Sequence, residues 1–160
     1  MAKSPVPPPV HFRLAGEVDL EAILALLADD DIARARTDFV AGTHDRVRAA
    51  FAAIGCDPNH ELWVGERAEE VVATLQLSFL PGLSRGGQWR ALVEAVRVHR
   101  ALRGQGIGEQ LMRRAMDRAR ERGCGLIQLT SDRRRTAAHR FYERLGFVAS
   151  HVGMKLVWSE

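Results

Sequence analysis

The chain has 160 residues, 46% of them hydrophobic and 27% charged, with a formal net charge of +3. That is the composition of an ordinary water-soluble domain, long enough to bury a core and too short to make a second domain expected. No apolar run approaches the ~20 residues that span a bilayer. Cys56 and Cys124, far apart and outside any CxxC pair, do not indicate a disulfide scaffold.

Residues 1–9 form a proline-rich arm, with Pro5, Pro7, Pro8 and Pro9 favouring an extended backbone. They lack the apolar stretch of a signal peptide, so a cytoplasmic location is expected. Residues 10–160 read as one domain. Val10 to Leu14 is a short strand, and Glu17 to Ala28 a helix with Leu20, Ile23, Leu24 and Leu27 on one face. Asp29-Asp30-Asp31 breaks the pattern. A second helix covers His44 to Ile54 and stops at Gly55. Glu61 to Arg67 and Val71 to Phe79 are strands joined by a tight turn at Ala68-Glu69-Glu70. Pro81 to Gly87 is a loop and Trp89 to His99 the next strand.

The following helix has the plainest periodicity. Ile107, Leu111, Ala115 and Ala119 recur every four residues, Arg118, Arg120 and Arg122 crowd the last turn, and Gly123 ends it. Gly125 to Thr130 is a strand. Ser131 or Asp132 caps a final helix with Ala137, Phe141 and Leu145 buried, and Phe147 to Ala149 and Met154 to Trp158 close the sheet. Cys124, at the helix–strand join, reads as packing.

The segment from Val96 to Gly108 carries the chemistry. An apolar strand runs into a turn, and Gly104, Gly106 and Gly108 open an amphipathic helix. A helix start presents unpaired N–H groups and the positive dipole end, and glycine lets an anion approach closely. The segment reads as a pyrophosphate cradle. A Walker loop would need Lys and Ser or Thr after the glycines, and a dinucleotide fingerprint a third glycine where Glu109 stands. What remains is Arg-x-x-Gly-x-Gly, formed by Arg103, Gly106 and Gly108. It resembles the acetyl-CoA motif of the GNAT superfamily of N-acetyltransferases. Ala138-His139-Arg140-Phe141-Tyr142-Glu143-Arg144-Leu145-Gly146-Phe147 is similar to that family's Ala-x-x-Phe-Tyr-x-x-x-Gly-Phe segment. The order of elements also matches, so the resemblance covers nearly the whole chain. It implies an α/β fold with a mixed, mostly antiparallel twisted sheet of about seven strands flanked by about four helices.

The resemblance implies that acetyl-CoA is the cosubstrate. The backbone of Arg103, Gly104, Gln105, Gly106, Ile107 and Gly108 would hold its pyrophosphate, and the strand carrying Val96, Arg97 and Val98 would pair with its pantetheine arm. Val98 would donate its amide to the thioester oxygen. Tyr142, the only tyrosine, would protonate the departing thiolate; the alternative is a buried ring whose hydroxyl is merely satisfied. Arg100 stands where the family often has proline. Arg135 replaces an asparagine often found seven residues before the tyrosine, and could reach a phosphate instead. Glu94 is the candidate base: strand alternation puts it in a row with Leu92, Val96 and Val98, where burial would bring a carboxyl closer to the pKa a base needs. A salt bridge to Arg97 or Arg90 is the other reading. His99 and His139 are weaker candidates.

The acceptor site would be walled by the first two helices. There Asp29, Asp30, Asp31, Asp38 and Asp45 form either a solvated turn or a site for an ammonium ion, and the latter would favour a cationic amine. Acids at a helix C-terminus oppose the dipole, a misfit that can mark such a site. The leading expectation is a small-molecule N-acetyltransferase working through a ternary complex. A protein or peptide acetyltransferase and a non-catalytic acyl-CoA-binding regulatory module stay open. The arginine-rich 85–144 region invites a nucleic-acid reading, but aromatics are only 6% and no such signature appears, so neither nucleic acid nor membrane is expected as partner. The six histidines have no ligand spacing, so no metal is expected. The apolar final strand, as an exposed edge, suggests a homodimer.

Overall fold

The computed structural model describes residues 8–29 and 44–158. In chain order the elements are β1 (His11–Leu14), α1 (Leu20–Ala28), α2 (His44–Cys56), β2 (His60–Arg67), β3 (Glu70–Leu80), β4 (Arg90–Val98), α3 (Ile107–Glu121), β5 (Leu126–Leu129) and α4 (Thr136–Arg144). The strands lie in the order β1-β2-β3-β4-β5. The first three pairings are antiparallel, and β4 pairs with β5 in parallel. A parallel pair needs a long crossover, and α3 provides it. The β2–β3 hairpin turns through Ala68 (φ 50°) and Glu69 (φ 63°), the left-handed pair that matches strand twist.

Periodicity explains the core. Trp63, Leu75, Leu77, Phe79, Ala91 and Val93 face Ile107, Leu111, Met112, Ala115 and Ala119 of α3 in one buried cluster. Each large member contributes about 1.5–3 kcal/mol by leaving water. The buried Glu61 carboxylate fastens α3 to β2: it accepts from Arg118 at 2.7 Å and from the Trp63 indole at 2.9 Å. α1 packs on β3 and β4 through Leu20, Ile23 and Leu26, which lie outside that cluster, so α1 covers the opposite face.

Several expectations shift. The first helix is preceded by a separate 3-10 turn, Glu17–Asp19, and its fully buried stripe includes Leu26, with Leu24 and Leu27 only half-buried. In α4 the stripe runs through Ala138, Phe141 and Leu145, whereas Ala137 is exposed. Asp132 is not its cap. It builds the preceding turn, accepting from the Arg134 N–H at 3.0 Å, and Arg135 is the N-cap. The sheet has five strands among the described residues. Phe147 to Ala149 and Met154 to Trp158 carry no ladder, since apolar sequence makes a strand only where a partner edge is paired. Val148, Val152, Met154, Leu156, Val157 and Trp158 are consequently exposed, Met154 at 92%.

At the entrance to α1, Asp19 accepts from the Gly16 N–H at 2.7 Å and from both terminal nitrogens of Arg13 at 2.7 and 2.9 Å. Chiefly through Arg13, its carboxyl is held below the usual carboxylate range. A depressed carboxyl contributes stability above its unfolded pKa and loses it as pH falls through the folded value. Asp19→Asn is expected to cost about 2 kcal/mol at neutral pH. In thermal melts taken from pH 7 down to pH 3, the gap between variant and wild type should close toward the acid end.

Candidate functional site

β4 makes the site by parting from its neighbours. Its ladder with β5 runs only from Arg90↔Leu126 to Val93↔Leu129, so beyond Val93 that edge faces no described strand. On the other edge, the register steps from Gln76↔Glu94 to Thr74↔Arg97. Ala95 and Val96 together face Leu75, which is a β-bulge, and Ala95 takes a φ of 55°. The bulge shifts the alternation by one. Ala91 and Val93 point to the α3 face before it, and Val96 and Val98 pack against the same core after it.

This corrects the placement of Glu94. The expected row of Leu92, Glu94, Val96 and Val98 assumes unbroken alternation. In the structure Glu94 stays on the α1 face with Leu92, opposite Gln76, and is exposed. It is not a carboxylate buried among valines.

The open edge offers backbone groups. The His99 N–H donates to the Val72 carbonyl at 2.8 Å, so alternation turns the N–H and C=O of Val98 and Val96 the other way, into the gap. Arg97 donates to the Val96 carbonyl at 2.8 Å, and Arg103 Nε to the Val98 carbonyl at 3.1 Å.

The glycine loop ends beside this edge. Gly104 and Gly106 have φ of 79° and 78°, where an L-residue is strained. Gly106 is the N-cap of α3, and its carbonyl accepts from Gln110 at 3.0 Å. The first-turn N–H groups, those of Ile107 and Gly108 included, have no intrahelical partner. A Cβ on Gly108 would lie 3.5 Å from Val98 and 3.6 Å from the Phe141 ring, so this glycine is the point where β4, α3 and α4 meet. The arrangement fits a pyrophosphate with a pantetheine-like arm: a dipole end, unpaired donors, and an extended edge. Sequence reasoning missed Arg67, whose Nη1 donates to Gln105 at 2.9 Å and brings a cation to the loop from the end of β2. No local pattern marks it, because 38 residues separate the pair.

Tyr142 lies on α4 between Phe141 and Phe147, with ring centroids at 5.1 and 5.9 Å in edge-to-face geometry. Burial pushes its phenol above the ordinary value, while the positive charges of Arg97 and Arg135 pull weakly the other way. The hydroxyl therefore keeps its proton at neutral pH. Arg97, Arg135 and Tyr142 thus share one neighbourhood. His99 and His139 serve the local backbone: His99 Nδ1 accepts from the Ala101 N–H at 3.3 Å, and His139 Nε2 meets the Asp132 carbonyl at 3.0 Å. Burial raises the Cys124 thiol, which packs against the core.

Of the acidic wall, Asp30, Asp31 and Asp38 lie outside the described residues, and Asp45 sits in the first turn of α2, where the dipole favours it. Asp29 is engaged by cations. Its carboxylate is 3.0 Å from Arg100 and 3.8 Å from Arg103, and its carbonyl accepts from Arg103 at 3.2 Å.

Residues 23–147 match the profile of the acetyltransferase (GNAT) family. This chain is a GNAT acetyltransferase. It is 32% identical over 146 residues to an aminoalkylphosphonate N-acetyltransferase of Salmonella typhimurium, covering 91% of this chain and 90% of that one. It is also 32% identical over 121 residues to glucosamine 6-phosphate N-acetyltransferase 1 of rice, Oryza sativa, over 71% and 69% of the two chains. A solved structure from Bacillus halodurans, described as a transcriptional regulator, superposes with a TM-score of 0.89 at 49% identity, covering 94% of this chain and all of the other. Membership makes the protein an acyl-CoA-dependent N-acetyltransferase, and the cradle and open edge are where a GNAT enzyme would be expected to take its thioester cosubstrate.

Two glycine variants separate folding from binding. Gly106→Ala, forced into the left-handed region, should lose about 1–2 kcal/mol in thermal unfolding. Gly108→Ala meets only ordinary contacts and gains helix propensity, so its melting temperature should hold. Calorimetric titration with acetyl-CoA should nonetheless show weaker binding, because the new methyl group fills the junction between Val98 and the Phe141 ring, next to the open edge.

Proposed function

We propose that the enzyme transfers the acetyl group of acetyl-CoA directly, within a ternary complex, to a small primary amine that carries a phosphonate or phosphate group. The observation that carries the transfer itself is the end of the β4–β5 ladder at Val93, which leaves the Val96–Val98 edge, re-aimed by the Ala95 bulge, open beside the glycine cradle. The acceptor class is supported by the two named relatives, whose substrates are an aminoalkylphosphonate and a sugar phosphate. It departs from the cationic amine suggested by the aspartates, one of which, Asp29, is already paired with arginine.

In this reading the N–H groups of Gly106, Ile107 and Gly108 hold the pyrophosphate, and the backbone of Val96 and Val98 pairs with the pantetheine amides. The Val98 N–H stabilises the negative charge that forms on the thioester oxygen as the amine attacks. Glu94, exposed on the α1 face, removes the proton of the ammonium group, directly or through water. The C–S bond breaks, and the Tyr142 hydroxyl gives its proton to the departing sulfur. Arg97 and Arg135 supply positive charge near that sulfur.

The test is thiol release from acetyl-CoA with aminoalkylphosphonates, hexosamine phosphates, polyamines, amino acids and short peptides. Turnover is expected with the phosphonate- or phosphate-bearing amines. Turnover confined to polyamines would restore the cationic acceptor, and turnover confined to peptides the protein-modifying one. Tyr142→Phe should lower kcat about a hundredfold with little change in amine KM. Since the phenol is raised, loss of its proton should limit the rate only above the ordinary tyrosine range.

A second role, acyl-CoA-dependent regulation, is favoured by one observation: the Bacillus halodurans structure is described as a transcriptional regulator. Tight acetyl-CoA binding with no turnover across the panel would move it forward. We further read the protein as a homodimer, supported by the exposed apolar residues 148–158 and by an outer edge of β5 that pairs with no described strand. Light scattering should return twice the chain mass at micromolar concentration.

A further inference from the structure

At its C-terminal end, α1 ends in an acid, Asp29, where the helix dipole is already negative. In isolation this is unfavourable. The structure brings two guanidiniums to that end from more than 70 residues away, both from the cofactor loop. Arg100 reaches the Asp29 carboxylate at 3.0 Å. Arg103 bridges, donating from one nitrogen to the Asp29 carbonyl at 3.2 Å and from another to the Val98 carbonyl at 3.1 Å. The last turn of α1 is thereby fastened to the end of β4 and to the loop that opens α3. Glu94, the candidate base, stands on the sheet face that α1 covers.

We propose that Asp29 is a positioning residue that, through Arg100 and Arg103, locks the acceptor-side helix α1 to the cofactor loop, so that amine affinity depends on a carboxylate touching neither substrate. This rests on the reading that the α1 face takes the acceptor. The lock links two sites through one set of contacts. With the lock broken, α1's end must be ordered when the amine binds, and that entropy is charged to the amine alone.

Asp29→Asn should raise the amine KM about fivefold or more while the acetyl-CoA Kd stays within about twofold. Asp29→Glu should recover most of the loss. Arg100→Gln should reproduce much of the KM increase, and Asp29→Asn with Arg100→Gln should be no worse than the worse single variant, because the Asp29–Arg100 pair is lost in each. Unchanged amine KM, additive losses in the double variant, or an acetyl-CoA Kd that weakens as much as the amine KM would each overturn the proposal. Additivity would point instead to direct contact of Asp29 with the amine. Amide hydrogen exchange reads the lock without turnover. The Asp29 N–H, bonded to the Ala25 carbonyl at 3.1 Å, should exchange faster in Arg100→Gln than in wild type, with the melting temperature little changed. Equal exchange rates would overturn the lock, whether or not any amine in the panel reacts. If exchange rises but no amine turns over, the failure belongs to the acceptor assignment.

Discussion

One strand has to lose a neighbour in the middle of its length, and the rest of the site follows from that. β4 is held on both sides up to Val93; beyond it, one neighbour is gone and the other is out of step by a residue. The cost is a non-glycine residue, Ala95, in left-handed backbone, roughly 1–2 kcal/mol. The return is a rigid extended edge whose N–H groups are aimed into the gap and whose carbonyls are held only by the Arg97 and Arg103 side chains. A loop could present the same groups, but it would have to be ordered each time a substrate arrived. Here the core behind Val96 and Val98 does the ordering in advance.

α3 then acts at both ends. Its start meets the cradle at Gly106, where the backbone conformation requires glycine, and at Gly108, which sits where β4 and α4 come together. Its far half is pinned to β2 through Arg118 and the buried Glu61, and Arg122 covers the Phe79 ring at 4.4 Å. A helix anchored along its length does not shift when charge is placed at its N-terminus. Several of the arginines in the 85–144 region pair within the chain: Arg118 with Glu61, Arg134 with Asp132, and Arg103 with Val98 and Asp29.

Much of this was legible in the sequence because it depends on local chemistry. The positive-φ glycines, the four-residue spacing of α3 and the turn at Ala68-Glu69 are each written within a few letters, and the two family segments added what spacing alone could not. Long-range coincidences were not legible. The bulge at Ala95 put Val96 and Val98 on the face opposite Glu94, and the switch of parity between the apolar pairs Ala91-Val93 and Val96-Val98 is the trace it left. Asp29 looked like a bare acid because its partners are far along the chain. The tail looked like strands because apolar residues make a strand only when an edge is there to pair with them, and sequence gives the residues without the edge.

The three tryptophans divide the molecule optically. Trp63 is 7% exposed, its indole N–H donating to Glu61 and its ring 5.0 Å from the Arg114 guanidinium. Trp158 lies at the end of the apolar tail, 81% exposed, and Trp89, just before β4, is exposed too, at 37%. The short-wavelength part of the emission spectrum thus belongs to the junction of β2 and α3, and the long-wavelength part, open to an aqueous quencher, to the tail once Trp89 is replaced by Phe. Packing of the core and burial of the tail can therefore be followed separately in one cuvette, without attaching a dye.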